Sequence, residues 1–211
     1  MARDNGARVL LVIDVQNDFC PGGSLAVDDG DAVIPVINRI MPSFTRVIAT
    51  QDWHPSDHVS FASQHPGHVP LDVVEAGGIT QVLWPDHCVQ ATRGADLHPR
   101  LEVGRIELVL RKGLRRTLDS YSAFFENDRR TDTGLRFYLK GLGTREIFLC
   151  GLATDYCVLA TALDARRLGF KVALIQDACR GVDAPVGSVS HALAQMGKAG
   201  VRIVDSASVG G

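Results

Sequence analysis

The chain lacks the features that mark membrane, secreted and nucleic-acid-binding proteins. It has no run of five or more like charges and a formal net charge of -2, so we expect no nucleic-acid partner. The apolar run at residues 9–13 is too short for a membrane span, and the polar start at residues 1–8 predicts no signal peptide. We therefore expect no membrane partner.

Cysteines are few and do not have the spacing of a disulfide scaffold. The chain has 5 of them, an odd number, which favours a reduced, cytoplasmic protein. Its 45% hydrophobic content suits a sizeable buried core. Because no internal repeat or linker interrupts the chain, we predict a single domain over residues 1–211. The oligomeric state, monomer or homo-oligomer, stays open.

Short segments rich in Val, Ile and Leu alternate with helical patterns. Such segments are typical of strands covered on both faces, and they are predicted at residues 8–13, 47–50, 107–110, 146–150, 172–175 and 201–204. Helices are predicted at residues 31–40, 133–142, 155–168 and 185–198, the third with Thr154 as N-cap and Gly169 at its C-cap. The alternation predicts an α/β fold, a six-stranded parallel sheet with helices on both faces in three Rossmann-like layers. Residues 52–105 are predicted to be irregular and functional.

Three polar residues lie just past the carboxyl ends of predicted strands, where ligands bind in open parallel sheets. They are Asp14, Lys112 and Cys157. Cys157 lies in a first helical turn, whose free N–H groups and dipole should lower the pKa of a thiol. Alone, Cys157 could be a buried hydrophobe, Asp14 a helix cap or salt-bridge partner, and Lys112 a solvated side chain. An acid, an amine and a thiol together favour nucleophilic catalysis.

A second group follows the strand at 47–50. Asp52 and His54 are two residues apart, and His87 can supply a third ligand to Zn²⁺ or another divalent transition metal. The alternative is that these are ordinary loop histidines. We assign that ordinary role to His58, His65, His68, His98 and His191.

Seven segments resemble the nicotinamidases of the cysteine hydrolase (isochorismatase-like) superfamily, close to the bacterial nicotinamidase/pyrazinamidase type. They read IDVQNDFCPGGSLAV, QDWHPSDHVSFASQHPG, LWPDHCVQ, RKG, DSYSAFF, GLATDYCV and DACRGV, and the resemblance covers nearly the whole chain. The first motif marks the superfamily, whereas DWHP together with WPDHC marks its metal-containing nicotinamidase branch.

The resemblance implies a role for each candidate residue. It matches Asp14, Lys112 and Cys157 to a catalytic triad; Asp52, His54 and His87 to metal ligands; Ala153 and Cys157 to an oxyanion hole; and Phe19, Trp84 and Tyr121 to the walls of a ring pocket. Ser60 stands where some relatives have a further metal ligand, so its contact with the metal is left open. A cis peptide bond is expected between Leu152 and Ala153.

The implied activity is hydrolysis of nicotinamide to nicotinate and ammonia in NAD salvage, with pyrazinamide as a second substrate. The implied cofactor is one divalent metal ion, Zn first, with Mn or Fe as alternatives. Two other functional classes are alternatives. A metal-free superfamily hydrolase, acting on an N-carbamoyl, ureido or vinyl-ether substrate, is disfavoured by the metal-type residues. A non-enzymatic nucleotide-binding or redox module is disfavoured because no GxGxxG follows the first strand and Cys150 lies inside an apolar strand.

Overall fold

A parallel sheet is the centre of the structure, a computed structural model that describes residues 8–209. The strands are β1 (Arg8–Ile13), β2 (Arg46–Asp52), β3 (Val73–Ala76), β4 (Ile79–Val82), β5 (Leu108–Lys112), β6 (Glu146–Leu152), β7 (Lys171–Arg180) and β8 (Arg202–Val204). Six of them form the sheet in the order β5-β2-β1-β6-β7-β8, and every pairing is parallel. The predicted α/β class and the six predicted strands are confirmed.

The segment 52–105 differs in part from the prediction. Strands β3 and β4 form an antiparallel hairpin inside it, in a region expected to be irregular. The two glycines between them, Gly77 and Gly78, both have positive φ angles, which a two-residue hairpin turn requires. The remainder consists mainly of turns, bends and irregular loop, with a few short 3₁₀ turns and isolated bridges.

Four α-helices connect the strands: α1 (Val33–Ile40), α2 (Leu135–Gly141), α3 (Leu159–Arg167) and α4 (Ser188–Lys198). The chain runs from β1 to β2 in one direction across the sheet and from β6 to β8 in the other. Right-handed crossovers therefore place α1 on one face and α3 with α4 on the other. The direction reverses between β1 and β6, which is the place where open sheets of this kind bind ligands.

The third predicted helix begins differently from the prediction. Residues Thr154–Val158 form a π-helical turn, and α3 continues from it. The extended residue before the turn is Ala153, and no side chain caps it, so the predicted N-cap role of Thr154 is wrong. The predicted stop at Gly169 is borne out by a positive φ angle after the end of α3.

Strands β1 and β6 are packed so closely that only glycine fits at one position. A Cβ atom at Gly151 would overlap the backbone oxygen of Ile13, and the φ angle there is +111°.

Among residues 8–209, no helix combines the length and apolar composition that crossing a bilayer demands. Residues 1–7, where no signal peptide is predicted, and the last two residues of the predicted domain lie outside the described residues.

Candidate active site

The three residues of the predicted triad meet at the carboxyl edge of the sheet. Asp14 follows β1 and Lys112 ends β5, while Cys157 lies in the π-helical turn after β6. The Lys112 Nζ is 2.9 Å from Asp14 Oδ2 and 3.4 Å from Cys157 Sγ. It also donates to the carbonyl oxygen of Ser120 and pairs with Asp52 Oδ1. One buried ammonium group thus joins an acid, a thiol and a second carboxylate.

Asp14 is fully buried and held in one orientation by β2. Its N–H donates to Thr50 Oγ1 (3.1 Å), and the Thr50 hydroxyl donates to Asp14 Oδ1 (2.6 Å). Burial raises the pKa of Asp14 to about 6, although Lys112 and the Thr50 hydrogen bond both oppose the rise. A carboxyl group with this pKa is ionised near pH 7 and can still take up a proton, as a general base must.

The Cys157 thiol does not have the lowered pKa that its position in a first turn predicts. Burial raises its pKa well above the usual value; Lys112 opposes this, and the carboxylates Asp14 and Asp52 add to it. Burial alone would lower the pKa of Lys112, but the same carboxylates raise it well above its usual range. Lys112 is therefore a fixed cation, and the thiol must lose its proton to a neighbouring base when it attacks.

Asp52, His54 and His87 bring three ligand-type atoms within 4.8 Å of one another in a buried cluster. The Nδ1–H groups of His54 and His87 are engaged by the backbone oxygens of Gly113 (3.0 Å) and Pro85 (2.8 Å). This leaves the Nε2 lone pairs free for a ligand. Asp52 Oδ2 lies 3.8 Å from His54 Nε2, a gap that metal–ligand bonds of about 2.1 Å can span.

Electrostatics agree with metal binding by the two imidazoles. Burial lowers the pKa of His54 to about 4 and that of His87 to about 4, so both rings are neutral at pH 7. Neutral imidazole is the form that ligates metals. A carboxylate with two neutral histidines fits a divalent transition metal, with positions left open for water or substrate.

Loop hydrogen bonds hold these ligands in place. The Gln16 amide accepts from the Asp52 N–H and donates to the Asp52 carbonyl oxygen, both at 2.8 Å. The Asp18 carboxylate accepts from the N–H of Cys88 at 2.7 Å, which ties the turn carrying His87 to the segment after β1. The QNDF motif therefore positions two metal-type ligands through backbone contacts.

A narrow pocket lies over the thiol and the metal-type cluster. Its lining residues are Phe19, Leu25, Asp52, His54, Trp84, His87, Asp119, Tyr121, Ala153, Tyr156, Cys157 and Val182. Asp14 and Lys112 are fully buried behind Cys157 and are not part of the lining.

The three predicted ring-pocket residues all line this pocket, and two of them contact each other. Trp84 Nε1 donates to the Tyr121 hydroxyl at 3.1 Å. Tyr156, which the sequence analysis did not single out, packs edge-on against Trp84 with ring centroids 4.8 Å apart. Its place next to Cys157 in the motif GLATDYCV was the signal that could have identified it.

Ala153 lies at the start of the nucleophile turn. The peptide bond between Leu152 and Ala153 is cis, as the resemblance implied. The carbonyl oxygen of Ala153 accepts from the N–H groups of Tyr156 and Val158, both at 3.1 Å, which closes the turn around Cys157. Ala153 and Cys157 also line the same pocket. Both residues of the predicted oxyanion hole therefore border the site where a carbonyl group would sit.

The structure corrects the assignment of His58 as an ordinary loop histidine. His58 is fully buried and its ring lies 4.2 Å, centroid to centroid, from that of His54. His58 Nε2 lies 3.3 Å from the Leu118 carbonyl oxygen and so carries the ring proton, and Nδ1 therefore accepts from the Ser60 hydroxyl at 2.7 Å. The hydroxyl proton of Ser60 is thus directed toward His58 and away from the cluster of Asp52, His54 and His87. His58 lies behind His54 and is not part of the pocket lining, and the histidines 65, 68, 98 and 191 also lie outside it.

Asp119 is a buried pocket carboxylate that the sequence analysis missed. Burial opposes its ionisation, but the neighbouring His54 and His58 and the Ser120 N–H hold its pKa below the usual value. It directly precedes Ser120 in the motif DSYSAFF. No local pattern identifies it, because its partners come from loops remote in sequence.

Comparisons with known proteins agree with this geometry. A family model described as the isochorismatase domain matches residues 8–208. A nicotinamidase from Acinetobacter baylyi is 48% identical over 200 residues, which cover 95% of this chain and 93% of the relative. A nicotinamidase from Escherichia coli is also 48% identical over 200 residues, with 93% of each chain covered.

Solved structures give the same result. An Acinetobacter baumanii nicotinamidase/pyrazinamidase superposes with a TM-score of 0.94 at 46% identity, covering 98% of this chain and 100% of that one. The yeast nicotinamidase bound to the inhibitor nicotinaldehyde has a TM-score of 0.88 at 32% identity, with 94% and 99% covered. A Pyrococcus horikoshii pyrazinamidase in complex with zinc has a TM-score of 0.74 at 35% identity, again with 94% and 99% covered. The sequence, the fold and the site together lead to one conclusion: this chain belongs to the isochorismatase family.

Proposed function

We propose that this chain is a metal-containing cysteine amidohydrolase that hydrolyses nicotinamide to nicotinate and ammonia, a reaction of NAD salvage. One observation carries the proposal. A single small pocket joins the Asp14–Lys112–Cys157 group to a buried cluster of one carboxylate and two neutral imidazoles. The similar nicotinamidases and pyrazinamidases support the same substrate class and make pyrazinamide a second substrate.

Asp14 is the general base of the proposed reaction. It accepts the proton of Cys157 as the sulfur attacks the carboxamide carbon, and Lys112 stabilises the charges that develop between them. The N–H groups of Ala153 and Cys157 hold the oxyanion, a contribution of roughly 3 kcal/mol per donor. Asp14 then returns the proton to the departing ammonia. It finally activates the water that hydrolyses the thioester and so releases the acid.

Asp52, His54 and His87 would hold the divalent metal ion. Bound there, the ion supplies a Lewis-acid contact for a ring nitrogen, which fixes the ring relative to the reacting carbon. Zinc is our first choice, with Mn or Fe as alternatives, because the donor set has two imidazoles and one carboxylate. Ser60 stays an optional ligand, because a hydroxyl that donates its proton to His58 keeps an oxygen lone pair for a metal ion.

Phe19, Trp84 and Tyr121 would enclose a flat ring between the metal-type cluster and the oxyanion hole.

The domain boundaries 1–211 and the cytoplasmic location stay predictions from the sequence.

The test is steady-state ammonia release from nicotinamide, pyrazinamide and benzamide. Benzamide has the ring and the amide but no ring nitrogen, so its kcat/KM should be lower by about 10²-fold or more. Comparable rates for benzamide and nicotinamide would contradict recognition of the ring nitrogen. Turnover of an N-carbamoyl or ureido compound with no ammonia from nicotinamide would overturn the substrate assignment.

Two cysteine variants test the nucleophile. Cys157→Ala should abolish ammonia release while leaving the circular dichroism spectrum unchanged. Cys150→Ala is the matched control, because Cys150 is equally buried but lies inside β6 and outside the pocket. It should retain activity. A folded Cys157→Ala protein with more than trace activity would rule out Cys157 as the nucleophile.

A further inference from the structure

Asp119 is a buried pocket carboxylate to which the proposed mechanism gives no task. We propose that Asp119 balances the charge of the metal-loaded pocket, and that it thereby strengthens metal binding and disfavours an anionic product. This inference rests on the proposed function, since it assumes that Asp52, His54 and His87 hold a divalent ion. It assigns Asp119 a positioning and specificity role, without a part in bond making or breaking.

The position of Asp119 is fixed by contacts from two directions. Its Oδ1 accepts from the Ser120 N–H at 2.8 Å, and its Oδ2 accepts from Gln81 Nε2 at 3.0 Å. Gln81 lies on β4 and is itself buried, so the β3–β4 hairpin supplies one of these two contacts. The carboxylate is therefore held as an acceptor and is shielded from solvent.

Asp119 faces the metal-type cluster through a shared histidine. Ligand-type atoms of His54, His58 and Asp119 lie within 4.8 Å of one another, and His54 also belongs to the cluster with Asp52 and His87. The ring nitrogens of His58 are already engaged by Ser60 and the Leu118 carbonyl oxygen. The three residues therefore do not form a second vacant metal site, and the charge of Asp119 acts on the first one.

The charges that line the loaded pocket or lie directly behind it balance only when Asp119 is counted. A divalent ion and Lys112 bring three positive charges, whereas Asp14 and Asp52 bring two negative ones. Asp119 supplies the third. Each of these side chains is buried, and uncompensated charge is costly in such surroundings. Without Asp119, a loaded pocket would carry a net positive charge.

A neutral pocket has a direct consequence for the reaction. The substrate amide is uncharged, but the product is a carboxylate anion. A pocket with net positive charge would retain that anion, whereas a balanced pocket does not attract it. Asp119 should therefore weaken the binding of the product acid relative to that of the neutral amide.

Zinc affinity tests the first part. Metal is removed with a chelator, and Zn²⁺ binding is measured by competition with a chromophoric chelator. Asp119→Asn should bind Zn²⁺ about 10- to 100-fold more weakly than wild type, as is typical when a group outside the ligand set is lost. Asp128→Asn is the matched control, because Asp128 also accepts backbone N–H groups but lies outside the pocket. It should bind Zn²⁺ like wild type.

Gln81→Met separates charge from structure. It removes the hydrogen bond from Gln81 to Asp119 but leaves the charge of Asp119 in place, so Zn²⁺ affinity should stay near that of wild type. An equal loss in Gln81→Met and Asp119→Asn would overturn the charge role. Circular dichroism establishes folding, and Asp119→Ser replaces the asparagine variant if the latter does not fold.

Product inhibition tests the second part. At saturating Zn²⁺, the ratio of the nicotinate inhibition constant to the nicotinamide KM should fall roughly 10-fold in Asp119→Asn. An unchanged ratio, or an unchanged Zn²⁺ affinity, in the folded variant would overturn the inference. The proposed function would be contradicted by a different result, namely a wild-type protein that binds no divalent ion or releases no ammonia from nicotinamide.

Discussion

Replacing Thr50 with valine should move the acid limb of the pH profile of kcat/KM toward higher pH. Asp14 must be ionised to accept the Cys157 proton, and its folded pKa of about 6 lies above its ordinary value of 3.8. Activity should therefore fall about tenfold per pH unit as the pH drops below about 6. The Thr50 hydroxyl donates to Asp14 Oδ1 at 2.6 Å and so favours the ionised form. Without this donor, Asp14 should hold its proton to a higher pH.

The size of the shift follows from the hydrogen bond. A buried hydrogen bond to a charged group contributes about 1.5–3 kcal/mol, and 1.36 kcal/mol corresponds to one pKa unit. The acid limb of Thr50→Val should therefore move up by about 1–2 pH units. Lys112 stays in place at 2.9 Å, so the carboxylate still forms near neutral pH and the plateau can be reached.

The assay is ammonia release from nicotinamide between pH 5 and 9. Thr50→Ser keeps the hydroxyl and should keep the wild-type limb. Thr144→Val is the matched control, since its buried hydroxyl has no hydrogen-bond partner among residues 8–209 and lies outside the pocket. A Thr50→Val profile that superposes on the wild-type profile would refute the assignment of Asp14 as the base that titrates near pH 6.

Three further perturbations test other parts of the structure. Lys112→Met leaves the buried carboxylates of Asp14 and Asp52 without their cation, so the free energy of unfolding at pH 8, measured by urea denaturation, should drop by about 3–5 kcal/mol. Equal stability would show that the two carboxyl groups are protonated in the folded protein. His87→Ala should lose bound metal by elemental analysis, whereas the exposed His191→Ala should not, and equal metal content in both would exclude His87 as a ligand. Gly151→Ala should lower the free energy of unfolding by about 2–5 kcal/mol, because its Cβ would overlap Ile13. Gly143→Ala, at a residue with positive φ and open space around it, should lower it by only about 1–2 kcal/mol. Similar losses in the two variants would argue against the overlap.

The sequence alone determined the architecture of the sheet and the residues at its carboxyl edge. Short Val, Ile and Leu segments are buried on both faces, so their local pattern predicts the strands and the alternation with helices predicts their parallel pairing. Asp14, Asp52 and Lys112 immediately follow or end such strands. Parallel strands bring their carboxyl ends to one edge, and the proximity of these residues could therefore be predicted without knowing the strand order.

Only the tertiary structure decided the electrostatics and the outer part of the site. The thiol of Cys157 was expected to have a lowered pKa from its place in a helical turn, but burial beside two carboxylates raises it. Asp119 and His58 came from segments without a strand or helix signal, and their contacts are remote in sequence. Local pattern does not encode burial or contacts between distant loops. These depend on how the segments after β2 and after β5 fold back over the sheet, and that packing determines which carboxylates and imidazoles lie at the pocket.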